Sequence, residues 1–350
     1  MKRVRPIAAL VLALLAVSVL IGGCTQQPVQ DVTTPWPVAD KERTVPKPAE
    51  PPRWPYTGKK ASSEKATHKR PLSIKIENSK SARPQTGLNS ADVVYETIAE
   101  GGITRFNCIF HSKVPDVVGP VRSARLSDLW IVPQYDALFF FSGASASVEG
   151  AVNRDKLPNL SQDAGVSAPY SRSSARPAPH NLYLDTDEAY RTAKSRGYKI
   201  TADLDPLQFE RRKPDGEPTV TEISVPFSNY NRVRWVYDDG VYRRFNDGVA
   251  HRDAATNKQV TARNVVVMWA KYEVASRDMV GSTTYRIVLG GKGRVSIFRD
   301  GQRFDGTWTA DRDAPPKFKD SDGRPIKLGQ GRTWFQVIPL DGKITMSGPE

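Results

Sequence analysis

Polar and apolar residues alternate through Leu72-Ser-Ile-Lys-Ile-Glu-Asn78, the period-two signature of a β-strand. Two further strand-like runs, Ala91–Ala99 and Ile103–His111, flank Gly101-Gly102 and predict a hairpin with a two-residue turn. Ser123–Val132 predicts a helix with Pro133 beyond its end. Ala137–Phe141 predicts an apolar strand and Ser145–Arg154 a helix, while Leu157–Pro179 reads as loop. Asp185–Gly197 has cap residues at its start and glycine at its end, so it predicts another helix. Residues 71–206 thus form an α+β unit. After a linker at 207–218 the pattern becomes almost all β. Asp-Gly pairs recur at 239, 247, 300, 305, 322 and 341, between runs such as Val233–Tyr237, Val265–Trp269 and Thr333–Ile338. That spacing predicts hairpins and a mostly antiparallel meander over 219–350, closing as a barrel or sandwich. Gly290-Gly-Lys-Gly293 reads as one more hairpin turn.

The N-terminus follows different rules. Lys2, Arg3 and Arg5 precede an uncharged stretch, Ile7–Ile21, too short to span a bilayer but of signal-peptide length. It ends at Ile21-Gly22-Gly23-Cys24, the pattern of a bacterial lipobox. Residues 1–23 are therefore expected to be cleaved and Cys24 to be lipidated, with enough acyl chains for stable anchoring. From Cys24 to Arg70 the chain is rich in proline, with eight between 28 and 55, and reads as an extended tether. Residues 25–70 would reach about 140 Å at full polyproline extension. Trp36, Trp54 and Tyr56 read as scattered linker aromatics and Lys59–Arg70 as solvated linker. Cys108, in an apolar run, reads as a small core residue.

Composition narrows the function classes. The chain has 350 residues and 51 Lys+Arg against 38 Asp+Glu, hence +13. Loss of residues 1–23 removes three cations and no acid, leaving +10. Two cysteines exclude a disulfide scaffold, a zinc ribbon and an iron–sulfur protein. A basic exported protein faces anionic headgroups and wall polymers, and nucleic acid is a poor partner outside the cell.

Candidate chemistry gathers in three places. With Gly101-Gly102 as the turn, Glu96, Glu100, Arg105 and Asn107 share one hairpin face, placing Arg105 within side-chain reach of both glutamates. The glutamates would lie about 13 Å apart, beyond the roughly 5–9.5 Å of glycosidase pairs. Secondly, Gly119-Pro-Val-Arg122-Ser-Ala-Arg125 enters a helix and predicts an anion-binding corner, since arginines offer bidentate donors for carboxylate or phosphate. Thirdly, Ser142-Gly-Ala-Ser145-Ala-Ser147 resembles a nucleophile elbow but has Ser147 where its last glycine belongs; His180 and Asp185 would have to complete the triad. His68, His111, His180 and His251 lack metal-ligand spacing, so no metal or cofactor is expected.

Several separated segments, Pro71–Asn78, Ala82-Arg-Pro-Gln85, Ala91–Glu96, Glu100–Phe106, Gly119–Arg125, His180–Tyr183, Asn264–Val267 and Gly329–Trp334, resemble the YerB-like lipoprotein family in order. The resemblance spans nearly all of 71–340 and implies a two-domain, exported, lipid-anchored protein. It implies no particular activity. The preferred reading is a lipoprotein on the extracytoplasmic face of the cytoplasmic membrane that binds an anionic envelope component, peptidoglycan foremost. Asn78, Glu96, Arg105, Arg122, Arg125 and Asn181 would line the site. A peptidoglycan-cleaving enzyme of the lytic transglycosylase kind, with Glu100 as its single acid/base, is the alternative; an envelope assembly factor with protein partners is the third.

Overall fold

The computed structural model describes residues 50–277 and 283–349. The signal segment, Cys24, Trp36 and the tether as far as residue 49 lie outside the described residues. Among the described residues, no helix is long and apolar enough to cross a membrane.

Residues 50–350 form one compact unit. A ten-stranded sheet runs through it. At its centre the strand Thr333–Pro339 pairs in parallel with Val93–Ile98 on one side and with Asn264–Arg277 on the other. Thr104–Phe110, Leu72–Glu77 and Leu138–Phe140 continue the sheet beyond Val93–Ile98. Gly291–Arg299, Gln302–Ala310 and Lys317–Lys319 continue it beyond Asn264–Arg277. A second, six-stranded sheet contains the meander Glu222–Ser228, Asn231–Asp238, Val241–Asn246 and Val249–Ala250. The N-terminal part is thus mixed α/β and the C-terminal part mostly antiparallel β, as expected, but the two share the large sheet.

Two apolar layers cover the large sheet. Ile74, Val94, Phe106 and Trp334 form one layer with Val225, Trp235 and Tyr242 of the second sheet. On the opposite face, Tyr95, Ile109 and Phe335 pack with Ile131 and Val132 of helix Asp128–Gln134 and Val148 and Val152 of helix Ala146–Arg154.

The hairpin register differs from expectation. Pairing closes at Ala99 and Ile103, whose N–H···O bond measures 2.7 Å, around the three-residue turn Glu100-Gly101-Gly102. Both glycines have positive φ, +65° and +69°, the conformation that suits glycine. Glu96 consequently pairs with Phe106, and Thr97 with Arg105. A one-residue slip reverses every side chain, so Glu96 and Arg105 lie on opposite faces of the sheet rather than on one.

Other expectations shift for local reasons. The helix expected at Ser123–Val132 runs from Asp128 to Gln134 and includes Pro133; residues 123–125 are irregular and Leu126-Ser127 turns into the helix. The expected hairpin at 290–293 is absent, because Thr283–Val288 and Gly291–Arg299 both pair with Asn264–Arg277, with a bend between them at Gly290, which packs under the Trp130 ring. Asp239-Gly240, Asp247-Gly248 and Asp300-Gly301 do turn hairpins with positive φ. Asp305-Gly306 instead lies inside a strand, where a Cβ on Gly306 would strike the Lys319 carbonyl. The expected linker is pinned as well: Leu207 is buried, and Phe209–Glu210 pairs with Leu328–Gly329.

The tether expectation needs correction for residues 50–70. Trp54 N–H bonds to the Lys59 carbonyl at 2.9 Å in a small turned loop. Tyr56 is fully buried, its hydroxyl donating to the Tyr135 carbonyl at 3.2 Å. Burying such a ring stabilises by about 1.5–3 kcal/mol, which outweighs the extended preference of the prolines around it. His111 is buried between Trp54 and Tyr56, with ring centroids 4.9 and 5.4 Å away.

Burial drives the His111 pKa down from 6.5 to about 4. Its neutral form is favoured in the fold, so the unfolded chain binds the extra proton between those values and stability falls as pH falls through that window. At pH 5 this amounts to about 2 kcal/mol. His111→Phe should therefore narrow the stability difference between pH 7.5 and pH 5 by about that amount in urea titrations. An unchanged difference would exclude His111 as a source of acid sensitivity.

Candidate functional site

The two faces of the hairpin carry two separate polar centres. On the face toward the second sheet, the Glu96 carboxylate is fully enclosed. Arg244 Nη2 donates to both its oxygens at 2.9 and 2.8 Å. Thr104 Oγ1 donates at 2.8 Å and Gln336 Nε2 at 3.0 Å, with Asn78 and Asn231 amides at 3.3 and 3.4 Å. Arg244 also sits among aromatic rings, 5.0 Å from Trp334 and 5.4 Å from Phe106. Its Nη1 donates to Asn246 Oδ1 and to His251 Nδ1. Because arginine only donates, His251 Nδ1 must accept, so Nε2 carries the proton and donates to Gln85 Oε1 at 2.6 Å. Burial, with Arg244 and Arg83 adding to it, holds the His251 pKa well below its ordinary value. This centre is closed. Every donor aimed at Glu96 comes from the chain itself, which suits a structural junction.

The opposite face carries the arginines. Asp128, fully buried, opens its helix by accepting Lys75 Nζ at 2.7 Å, Asn107 Nδ2 at 2.9 Å and the Arg125 backbone N–H at 2.7 Å. The Arg122 N–H bonds to the Lys75 carbonyl at 2.9 Å. Residues 122–125 are thereby clamped to the Leu72–Glu77 strand. Burial lowers the Lys75 pKa despite its partner Asp128.

Three guanidinium groups gather beside this clamp. Arg125 Nε donates to Glu100 at 2.9 Å, and its Nη2 is closer still to the same oxygen. The Arg122 Nε lies 3.0 Å from Glu77, an ion pair without hydrogen-bond alignment. Glu77 also takes the Ser79 hydroxyl at 2.7 Å and His180 Nδ1 at 2.9 Å. Arg105 differs from both. It is 9% exposed and, among the described residues, makes only a 3.3 Å bond to the Thr104 carbonyl and leaves its Nε without a partner. Burial first, then Arg125, pushes its pKa down to about 10; Glu77 opposes this, Arg122 adds to it and Glu100 opposes it. The idle Nε is itself closed off, whereas the Arg122 and Arg125 side chains keep 22% and 16% exposure and can receive a carboxylate or phosphate oxygen.

The expected site is thus divided. Arg105, Arg122, Arg125 and Glu100 come together; Glu96 and Asn78 lie on the other face. Asn181 is bound within its own loop, donating to the Ser173 carbonyl at 2.8 Å and accepting from Arg172 at 2.8 Å. The serine triad does not assemble: Ser145 caps its helix, Asp185 caps the next and His180 turns to Glu77. Among the described residues, no three metal-ligating side chains cluster. Sequence reading missed Glu77, Lys75 and Arg244. The alternation placed Lys75 and Glu77 as solvent-side residues of a strand, whereas the arginine corner and its helix cover that face.

Residues 56–199 match the N-terminal domain, and residues 223–335 the C-terminal domain, of the family described as protein of unknown function DUF3048. The chain belongs to the DUF3048 family. One relative, named "Putative lipoprotein YerB", from Bacillus subtilis (strain 168), is 32% identical over 305 residues, covering 84% of this chain and 88% of the relative. The crystal structure of the YerB protein from Bacillus subtilis superposes with a TM-score of 0.76 at 29% identity, covering 84% of this chain and 99% of that one. The YerB-like resemblance read from the motifs therefore holds, and the relative's name accords with the lipobox ending at Cys24.

Proposed function

We propose that this DUF3048 protein is a lipoprotein anchored through Cys24 on the extracytoplasmic face of the cytoplasmic membrane, and that it binds an anionic envelope component, peptidoglycan foremost, at the corner formed by Arg105, Arg122 and Arg125. The observation that carries the reading is the gathering of part-exposed Arg122 and Arg125 beside buried Arg105, whose Nε has no partner among the described residues. An arginine so desolvated is costly unless an anion meets it. The stem peptides of peptidoglycan carry carboxylates that suit such a site. Arg122 and Arg125 are held by Glu77 and Glu100 at their inner edges, which orients them while leaving the cationic excess with Arg105.

The test is pelleting of the full chain, purified in detergent, with insoluble peptidoglycan. Arg122→Ala or Arg125→Ala should weaken pelleting by about tenfold or more, as expected for a lost charge-assisted hydrogen bond of about 1.5–3 kcal/mol. Unchanged pelleting in both variants would remove the corner as the site. Soluble fragments that disappear with Glu100→Gln would make the protein a wall-cleaving enzyme instead, although Glu100 is engaged by Arg125 and Thr284. Neither pelleting nor release would favour the assembly factor.

A further inference from the structure

A second cleft opens on the other face of the large sheet from the arginine corner, where the two DUF3048 domains meet. It encloses about 970 Å³, at the upper end of what small-molecule pockets of roughly 300–1,000 Å³ occupy. One wall is the segment after Asn78 together with the Gly101–Ile103 turn; the other is the Asn229-Tyr230 hairpin turn and the edge strand Val249–Ala250. The walls are joined: Ser228 Oγ donates to the Gly102 carbonyl at 2.6 Å, and a Cβ on Gly102 would meet Ser228 at 3.1 Å.

The lining has a definite chemistry. Lys80, Arg83, Arg232 and Arg252 stand on it against one acid, Asp247. Asp247 is already used: it accepts Arg83 Nη2 at 2.9 Å, the Arg232 N–H at 2.9 Å and Asn246 Nδ2 at 3.0 Å. Although burial opposes it, these bonds hold its carboxyl below the ordinary value. Lys80, Arg232 and Arg252 form no ion pair among the described residues, so the net charge along the cleft is +3. At the floor lie the amides of Asn78 and Asn246, and at the rim Tyr230 is 75% exposed beside Val249 at 70%. The Asn78 and Asn246 amides are already bonded within the Glu96 centre, so recognition falls to the exposed ring, which suits the apolar face of a sugar, and to the unpaired cations, which suit a repeating negative charge.

We infer that this cleft binds an anionic sugar chain, one bearing a carboxylate on every second residue. The inference rests on the envelope reading for where such a chain is met, and not on the arginine corner. The experiment is fluorescence anisotropy with labelled wall glycan strands freed of their stem peptides, titrated with the full chain in detergent. A neutral chito-oligosaccharide and a poly(glycerol phosphate) serve as comparison probes. The carboxylate-bearing strands should bind in preference to both. Tyr230→Ala should weaken binding roughly three- to tenfold, the double variant Arg232→Ala/Arg252→Ala should weaken it further, and Arg324→Ala, an exposed arginine outside both the cleft and the corner, should leave it unchanged. Equal binding of the neutral sugar, or preference for the polyphosphate, overturns the inference. Loss of binding in Arg122→Ala alone moves the glycan to the corner and overturns it too. Pelleting with intact wall without any binding of free strands overturns the cleft while leaving the proposed function in place.

Discussion

Arg244→Ala is expected to destabilise the protein by about 3–5 kcal/mol, the cost of breaking a buried ion pair from one side. The Glu96 carboxylate would keep its hydroxyl and amide donors but lose both bonds from Arg244 Nη2, with no solvent to replace them. Asn246 Oδ1 and His251 Nδ1 would lose a donor as well. The loss should appear as a lower urea midpoint at unchanged slope, read from tryptophan emission, because Trp235 and Trp334 both flank the guanidinium. Glu96 belongs to the first DUF3048 domain and Arg244 to the second, so this cost measures how firmly the domains are joined. A change below about 1 kcal/mol, the size of an exposed ion pair, would show that the junction rests on the shared sheet and apolar packing.

Asp128→Ala should cost a similar amount, about 3–5 kcal/mol, and for a second reason it should also disturb the arginine corner. The carboxylate compensates the buried Lys75 ammonium and holds the Arg125 backbone N–H. In the variant, Lys75 keeps its burial and loses its partner, so its folded pKa falls further below 10.5. The unfolded chain then binds the extra proton between that lowered value and 10.5, so the variant regains stability as pH rises through the window. Lys75→Met in the same background removes the orphaned charge, and the double variant should be more stable than Asp128→Ala alone. If the double variant is worse than the single, the lysine packs there for its aliphatic stem and the charge argument fails.

Element types were largely legible from the sequence; their register and partners were not. The Leu72–Glu77 strand, the Ala146–Arg154 helix and the turns at Asp239, Asp247 and Asp300 follow from local periodicity, caps and the Asp-Gly preference for positive φ. The turn at Glu100–Gly102 was misjudged because Gly101-Gly102 fits either a two- or a three-residue loop, and that choice alone decides which face Glu96 occupies. The arginine corner was half visible, since Arg122 and Arg125 stand on a recognisable loop. Glu77 and Lys75 were concealed by an alternation that looks like one solvated face. Arg244 had no signal at all: in Val-Tyr-Arg-Arg-Phe245 it is one of two adjacent arginines, and only its partner 148 residues earlier distinguishes it. Trp54 and Tyr56 were overlooked because prolines surround them, and aromatic burial overrides that composition.

The parallel strand at the middle of the large sheet sets an order of events. The chain is synthesised N-terminus first, so Val93–Ile98 and its neighbours are available long before Thr333–Pro339 arrives to cover their open edge. Until that late segment is delivered, the first half presents an unsatisfied ladder to whatever strand comes near. Closing a contact over so many residues is slow, and the interval favours misassociation. The half-made protein is therefore most vulnerable while still emerging, and a chain truncated before Thr333 would inherit that vulnerability permanently.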